Sequence, residues 1–230
     1  MTKEKEIRMR VIAYARTDFP SKFGIPRQSG RVEGLTAKIV FLPEYRHPDA
    51  LKGIEGFSHL WLLWHFSEAR LTEGFRPTVR PPRLGGNKTE GVFATRSPFR
   101  PSPIGLSSVR LLGIEETENE GRVLIVSGAD LMDGTPILDV KPYLPFTDSH
   151  PDATGGFAAA HKDHALSVTC DEKMLDRIPP DKREALLAVL AEDPRPSYQS
   201  DPERIYGFPF AGREVRFRVD GGSLTVTEIE

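Results

Sequence analysis

A chain of 230 residues is long enough for one substantial hydrophobic core and a smaller appendage. Hydrophobic residues at 38%, charged residues at 28% and a mean hydropathy of −0.36 describe a globular chain and argue against a disordered or membrane-embedded one. The net charge of −2 excludes a uniformly basic nucleic-acid coat, and the single Cys170 excludes an internal disulfide or a multi-cysteine zinc site, which fits a reducing cytoplasm.

Residues 1–10 are charged throughout and no apolar stretch follows, so a secretory leader is not expected. Residues 7–15 alternate, with Ile7, Met9, Val11 and Ala13 on one face, and residues 35–42 repeat that pattern; both predict strands. Pro48 near its first turn suits a short helix over 48–51. The apolar run 57–66 holds His59 and His65 and is too short to span a bilayer; it predicts a strand buried on both faces. Further short strands are expected at 91–95, 106–114 and 122–127, with the prolines and glycines spent largely between them. This points to a mainly β barrel or sandwich. Periodicity is lost over 151–160, which predicts a connection to a second unit. There residues 181–191 form the clearest helix, offering Leu186, Leu187, Val189 and Leu190 as an apolar stripe and Pro194 as a stop. Residues 213–219 and 223–229 flank Asp220-Gly221-Gly222, a hairpin signal that leaves Glu214, Arg216 and Arg218 on one face.

Four stretches could carry chemistry. Phe23-Gly24-Ile25-Pro26-Arg27-Gln28-Ser29-Gly30 is a pre-set loop, in which Arg27 can pair with a carboxylate and Gln28 can make a two-point contact with an adenine edge. Arg76-Pro77-Thr78-Val79-Arg80-Pro81-Pro82-Arg83-Leu84-Gly85-Gly86-Asn87 cannot be a central strand, because its prolines remove ladder donors; taken alone, Arg80-Pro81-Pro82-Arg83 could be a ligand for a peptide-binding domain. Arg96-Ser97-Pro98-Phe99-Arg100-Pro101-Ser102-Pro103 holds two arginines on a stiff frame. Together residues 71–110 carry a net charge of +5, a local positive area that the overall balance hides. The fourth stretch turns at Asp133-Gly134 and then reads as extended, so that Asp139, Lys141 and Tyr143 project from one face. That trio is either an acid/base cluster or a solvated ion pair. His161-Lys162-Asp163-His164 lacks a third ligand and predicts no metal site, and Asp148-Ser149-His150 are too close in sequence to form a hydrolytic triad. Residues 57–66 suit core better than a base-stacking platform.

The order and wording of these stretches, with Gly56-Phe57-Ser58-His59-Leu60-Trp61, Gly91-Val92-Phe93-Ala94-Thr95-Arg96-Ser97, Phe99-Arg100-Pro101-Ser102-Pro103-Ile104-Gly105 and residues 130–145, resemble the TrmO family of tRNA adenosine N6-methyltransferases, also called TsaA-like or VirR-like. The likeness covers most of residues 8–157, and Asp193-Pro194-Arg195-Pro196-Ser197-Tyr198 resembles the start of the family's small C-terminal domain. The resemblance implies a single-sheet β-barrel methyltransferase domain over 1–157 and a small α+β domain over 158–230. It implies S-adenosylmethionine bound near a homodimer interface, and a substrate of N6-threonylcarbamoyladenosine beside the anticodon of threonine tRNA. By motif, the cofactor contacts fall on Pro26, Arg27, Gln28, Arg96, Leu106, Asp130, Leu131, Met132 and Asp133. Ser67 and Glu68 stand where the family often has a His followed by an amide residue. Two positive areas are expected to meet the RNA, residues 76–83 and the Arg216/Arg218 face of the last hairpin. The rival expectations are a non-catalytic proline-rich interaction module, or a methyltransferase acting on another RNA or a small molecule.

Overall fold

The computed structural model describes residues 6–69, 74–81, 88–161, 165–195 and 201–230. The strands are β1 (Ala13–Arg16), β2 (Thr36–Phe41), β3 (His59–His65), β4 (Thr78–Val79), β5 (Glu90–Gly91), β6 (Ile104–Thr117), β7 (Gly121–Ser127), β8 (Pro136–Pro142), β9 (Ser167–Thr169), β10 (Tyr206–Phe210), β11 (Arg213–Asp220) and β12 (Ser223–Ile229). The helices are α1 (Pro145–Asp148), α2 (Glu172–Leu175) and α3 (Arg183–Ala191). The molecule is mainly β, as the spacing of its apolar residues predicts.

Six antiparallel strands hydrogen-bond in the order β1-β2-β7-β6-β3-β8, and β8 pairs back onto β1 through Ala13 opposite Ile137, so the sheet closes on itself. Period-2 side chains then have one inside and one outside. Ala13, Ala15, Ile39, Leu60, Leu62, Val109, Leu124, Val126 and Ile137 fill the inside. Each aliphatic chain as large as Leu60 or Leu62 contributes about 1.5–3 kcal/mol by leaving water. That geometry corrects the expectation for 57–66. Leu60 and Leu62 are fully buried, whereas His59, Trp61 and Leu63 lie on the outer face and keep partial exposure.

Other expectations shift for local reasons. Residues 7–11 belong to no strand, and Ile7 is 88% exposed; alternation without a neighbouring strand makes no ladder. The segment 48–51 is a 3-10 turn, and 91–95 resolves into the two-residue β5 followed by a 3-10 turn, Val92–Ala94. The helix of 181–191 starts as a 3-10 turn and continues as α3, which buries Ala185, Leu186, Val189 and Leu190; Leu187 keeps partial exposure.

The second sheet runs β10-β11-β12-β9, with the expected Gly221-Gly222 connection between Asp220 and its partner Ser223. The edge strand β10 was not expected, because Gly207 and Pro209 disguise it; an edge position is where a proline can sit in a sheet. Its core includes Phe208, Phe210, Phe217, Leu186 and Leu190, and also Phe19, Val32 and Leu35 from the β1–β2 connection. That connection is therefore shared. Gly24 has φ +91 and lies under Phe208, where a Cβ would come within 2.4 Å of the ring. Lys182 Nζ reaches Asp18 Oδ2 at 2.7 Å and Thr36 Oγ1 at 2.9 Å, and Arg31 makes a two-point contact with Glu192. No helix among the described residues is long and apolar enough to cross a membrane.

Candidate active site at one mouth of the closed sheet

Strand direction places the sequence-predicted cofactor residues together. Because neighbours are antiparallel, the exits of β1, β3 and β7 and the entries of β2, β6 and β8 lie at the same end. The β1–β2 connection brings Pro26, Arg27 and Gln28 there. Ser67 and Glu68 follow β3, Arg96 precedes β6, Leu106 is the third residue of β6, and Asp130, Leu131, Met132 and Asp133 link β7 to β8.

Direct contacts tie several of these together. Arg96 Nη1 donates to Gln28 Oε1 at 2.5 Å, and Gln28 Nε2 donates to Arg27 O at 2.6 Å. Arg27 Nη2 donates to Arg195 O at 3.0 Å, so the loop is anchored on the second unit. Ser29 Oγ accepts from Ser108 N at 3.2 Å, which fixes the loop to β6.

Asp130 is the chemically distinctive group. Burial pushes its carboxyl pKa up; a hydrogen bond from Ser107, and more weakly the nearby Arg96 charge, pull it back without cancelling the effect. Ser107 Oγ donates to Asp130 Oδ1 at 2.6 Å and itself accepts from Trp64 Nε1 at 2.9 Å. Ser107 is fully buried, so this relay is how an inward polar side chain is satisfied inside the closed sheet. Gly105 makes room for it, since a Cβ there would come within 2.2 Å of the Trp64 ring. The sequence reading missed Ser107 and Trp64. The available signal was parity, because Ser107 shares the inward register of Val109 on an apolar strand.

The other predicted contacts differ in what they offer. Leu131 turns its side chain into the core, and its carbonyl accepts from Thr17 Oγ1 at 3.1 Å. Asp133 accepts from Thr17 N at 3.0 Å and lies 3.9 Å from Arg16 Nη1, which makes it a staple between β1 and the β7–β8 connection. Ser67 and Glu68 are exposed, and Leu106 is 52% exposed on the outer face. Opposite Leu106 stands Leu63, and opposite Leu63 stands Asp139. Asp139 Oδ2 and Lys141 Nζ form an exposed ion pair at 3.0 Å, while the Tyr143 ring packs on Trp61 at 5.5 Å and His59 at 6.2 Å. The trio shares one face, as the alternation predicts, but β8 enters at the mouth, so Asp139 is level with Leu106 while Lys141 and Tyr143 lie toward the opposite end of the sheet, where Tyr143 N donates to His59 O at 3.0 Å. The Leu144 N–H donates to Asp148 Oδ2 at 2.9 Å, and Trp61 Nε1 donates to the same oxygen at 2.9 Å; together they hold the Asp148 carboxyl below its usual range.

Of the two positive areas, Arg76 and Arg80 are described, whereas Pro82 and Arg83 lie outside the described residues, as do Lys162, Asp163 and His164 and also Pro196, Ser197 and Tyr198. The hairpin face is less positive than expected, because Arg216 is paired with Glu228 at 2.7 Å and Glu230 at 3.5 Å. Among the described residues no three His, Cys, Asp or Glu side chains are grouped as metal ligands.

A closed antiparallel sheet whose polar loops converge on one mouth is a different class from the doubly wound nucleotide-binding folds, in which parallel strands present their carboxyl ends. Residues 14–149 match the tRNA-methyltransferase O N-terminal domain, and residues 163–230 match the TrmO C-terminal domain. The chain belongs to the TrmO family. It is 41% identical over 227 residues to a tRNA (adenine(37)-N6)-methyltransferase of Escherichia coli (strain K12), covering 95% of this chain and 96% of that one. It is 47% identical over 174 residues to a tRNA (adenine(37)-N6)-methyltransferase of Eikenella corrodens, covering 75% of this chain and 97% of that one. A crystal structure of TrmO from Pseudomonas aeruginosa superposes with a TM-score of 0.77 at 33% identity, covering 98% of this chain and 99% of that one.

Proposed function

We propose that this protein is an S-adenosylmethionine-dependent tRNA methyltransferase acting on the N6 position of adenine 37, and that its substrate is N6-threonylcarbamoyladenosine beside the anticodon of threonine tRNA. The observation that carries this reading is the meeting of Arg27, Gln28, Arg96 and Asp130 at one mouth of the closed sheet, in a chain whose full-length relative bears that activity's name. Here the closed sheet is a β-barrel methyltransferase domain over residues 1–157, and residues 158–230 are the small α+β domain. The setting is cytoplasmic.

The donor set fits the cofactor. S-adenosylmethionine carries a carboxylate, an ammonium, an adenine and a sulfonium, and it supplies an electrophilic methyl group. Arg27 and Arg96 suit the carboxylate, Asp130 suits a cationic group, and Gln28 suits the adenine edge. Pro26, Leu106, Met132 and the Leu131 and Asp133 backbones complete the wall, with Ser67 and Glu68 at its rim. Both ends of the Gln28 amide are engaged, Nε2 with Arg27 O in its own loop and Oε1 with Arg96, so recognition of adenine exchanges those bonds for equivalent ones.

The acceptor nitrogen has a delocalised lone pair, so alignment supplies much of the rate. It also loses a proton, and we assign Asp139, Lys141 and Tyr143 to orienting the amine and taking that proton; because β8 runs away from the mouth, Lys141 and Tyr143 would act on the cofactor site of a second copy. The outer face bearing Leu106, Leu63 and Trp61 suits a second copy of the chain, which would set the cofactor near a homodimer interface.

Incubation with methyl-labelled cofactor and total tRNA, followed by digestion to nucleosides, tests the reading. Label is expected on threonylcarbamoyladenosine from threonine tRNA. Label on unmodified adenosine overturns the substrate, and absence of both labelling and calorimetric cofactor binding favours an interaction module.

A further inference from the structure

Two aromatic rings between β3 and β6 take no part in the chemistry above. Phe75 and Phe93 are 59% and 71% exposed, yet they stack on each other with centroids 6.0 Å apart and planes 22° from parallel. Their backbone is held: β4 pairs with β5, Val92 N donates to Pro77 O at 2.9 Å, and the Val92 side chain is buried beneath the turn. An exposed, pre-stacked ring pair on a braced support is a surface made for another flat group.

Its surroundings say which. Across the described residues 74–81 and 88–100, Arg76, Arg80, Lys88, Arg96 and Arg100 face only Glu90, a net charge of +4. An isologous contact centred here between two copies of the chain would set like charge against like charge, whereas a single-stranded nucleic acid brings both π-faces and compensating phosphates. The platform also lies close to the mouth. Phe93 is three residues from Arg96, so their Cα atoms are at most about 11 Å apart, and Arg96 holds Gln28 directly.

We propose that Phe75 and Phe93 form a stacking platform for an unpaired base of the RNA substrate next to the nucleotide that enters the mouth, with Arg76 and Arg80 on the adjoining phosphates. This rests on the RNA-methyltransferase reading. It adds how a splayed anticodon loop, rather than a duplex, is selected.

The test is the affinity of an anticodon stem-loop RNA across a salt series for the wild-type protein, Phe93→Ala, Phe75→Ala, Phe93→Tyr and Arg76→Gln. Cofactor affinity by calorimetry and sedimentation are measured in parallel. Each Ala variant is expected to weaken RNA binding by about 5- to 100-fold at an unchanged salt slope, with cofactor affinity and sedimentation unaltered. Phe93→Tyr keeps a stacking face and should stay near wild type, and Arg76→Gln should reduce the salt slope by about 1. Unchanged RNA affinity in both Ala variants overturns the platform, and a change confined to sedimentation reassigns the pair to contact between copies. A wild-type protein that binds the cofactor but no RNA overturns the underlying reading, and the platform with it.

Discussion

In the proposed site, Asp130 balances stability against function. Burial raises its pKa in the folded protein, so its proton is held more tightly there than in the unfolded chain. The sign follows: stability declines as pH rises from the ordinary carboxylate range through the raised value, because the folded state then has to carry a partly buried charge. Asp130→Asn keeps an acceptor for Ser107 and abolishes that decline. Thermal melts of the variant should therefore match or exceed wild type at pH 7, with the difference shrinking toward pH ~4, while cofactor affinity falls by about 10-fold or more. A variant that melts lower and still binds the cofactor would overturn this role. Asp130 could be chosen from its motif alone. Its partners Ser107 and Trp64 could not, since a serine reads the same in sequence whether it faces water or the inside of a closed sheet.

At the scale of elements, β8 and β3 carry complementary lessons. The alternation that puts Asp139, Lys141 and Tyr143 on one face of β8 was legible, because side-chain period in a strand is set by backbone geometry. The Asp139–Lys141 ion pair forms within β8 itself and was one of the two readings open from the sequence; the Trp61–Tyr143 contact was not legible, because it depends on β3 lying alongside in one register. Single-turnover methylation decides the assignment. Asp139→Asn and Tyr143→Phe are expected to slow the step, the proton acceptor by about 10²- to 10⁴-fold, with cofactor affinity intact. Near-normal rates in both would reduce the trio to a solvated pair beside an aromatic contact. In β3 itself a continuous apolar run suggested two buried faces, but the outer face leaves Trp61 and Leu63 partly exposed. Strand β10 escaped notice for the opposite reason, since its Gly and Pro are loop signals everywhere except at a sheet edge.

Across the whole molecule, the two units share the 17–35 connection. Phe19, Val32 and Leu35 join the core of the second sheet, while Pro26, Arg27 and Gln28 from the same connection stand at the mouth of the first. Gly24→Ala should therefore act at a distance. Its Cβ meets the Phe208 ring at a positive φ, a cost of about 1–3 kcal/mol, so the melting midpoint should fall by roughly 3–10 °C and cofactor affinity should fall with it. An unchanged midpoint would show that the loop gives way without strain.

By itself, the amino-acid sequence determined the long strands β2, β3, β6, β7, β8, β11 and β12, that a helix and hairpin follow the loss of periodicity over 151–160, and, through motif order, that the chain resembles TrmO. These are properties of local periodicity and of residue wording, and both are written along the chain. Tertiary structure decided that β8 returns to β1, which of two equivalent faces of each strand is inside, that Ser107 and Trp64 stand behind Asp130, and that the second unit grips the loop bearing Arg27 and Gln28. Those depend on closure and register, and a shift of one residue in pairing would turn each inward side chain outward without altering a letter of the sequence.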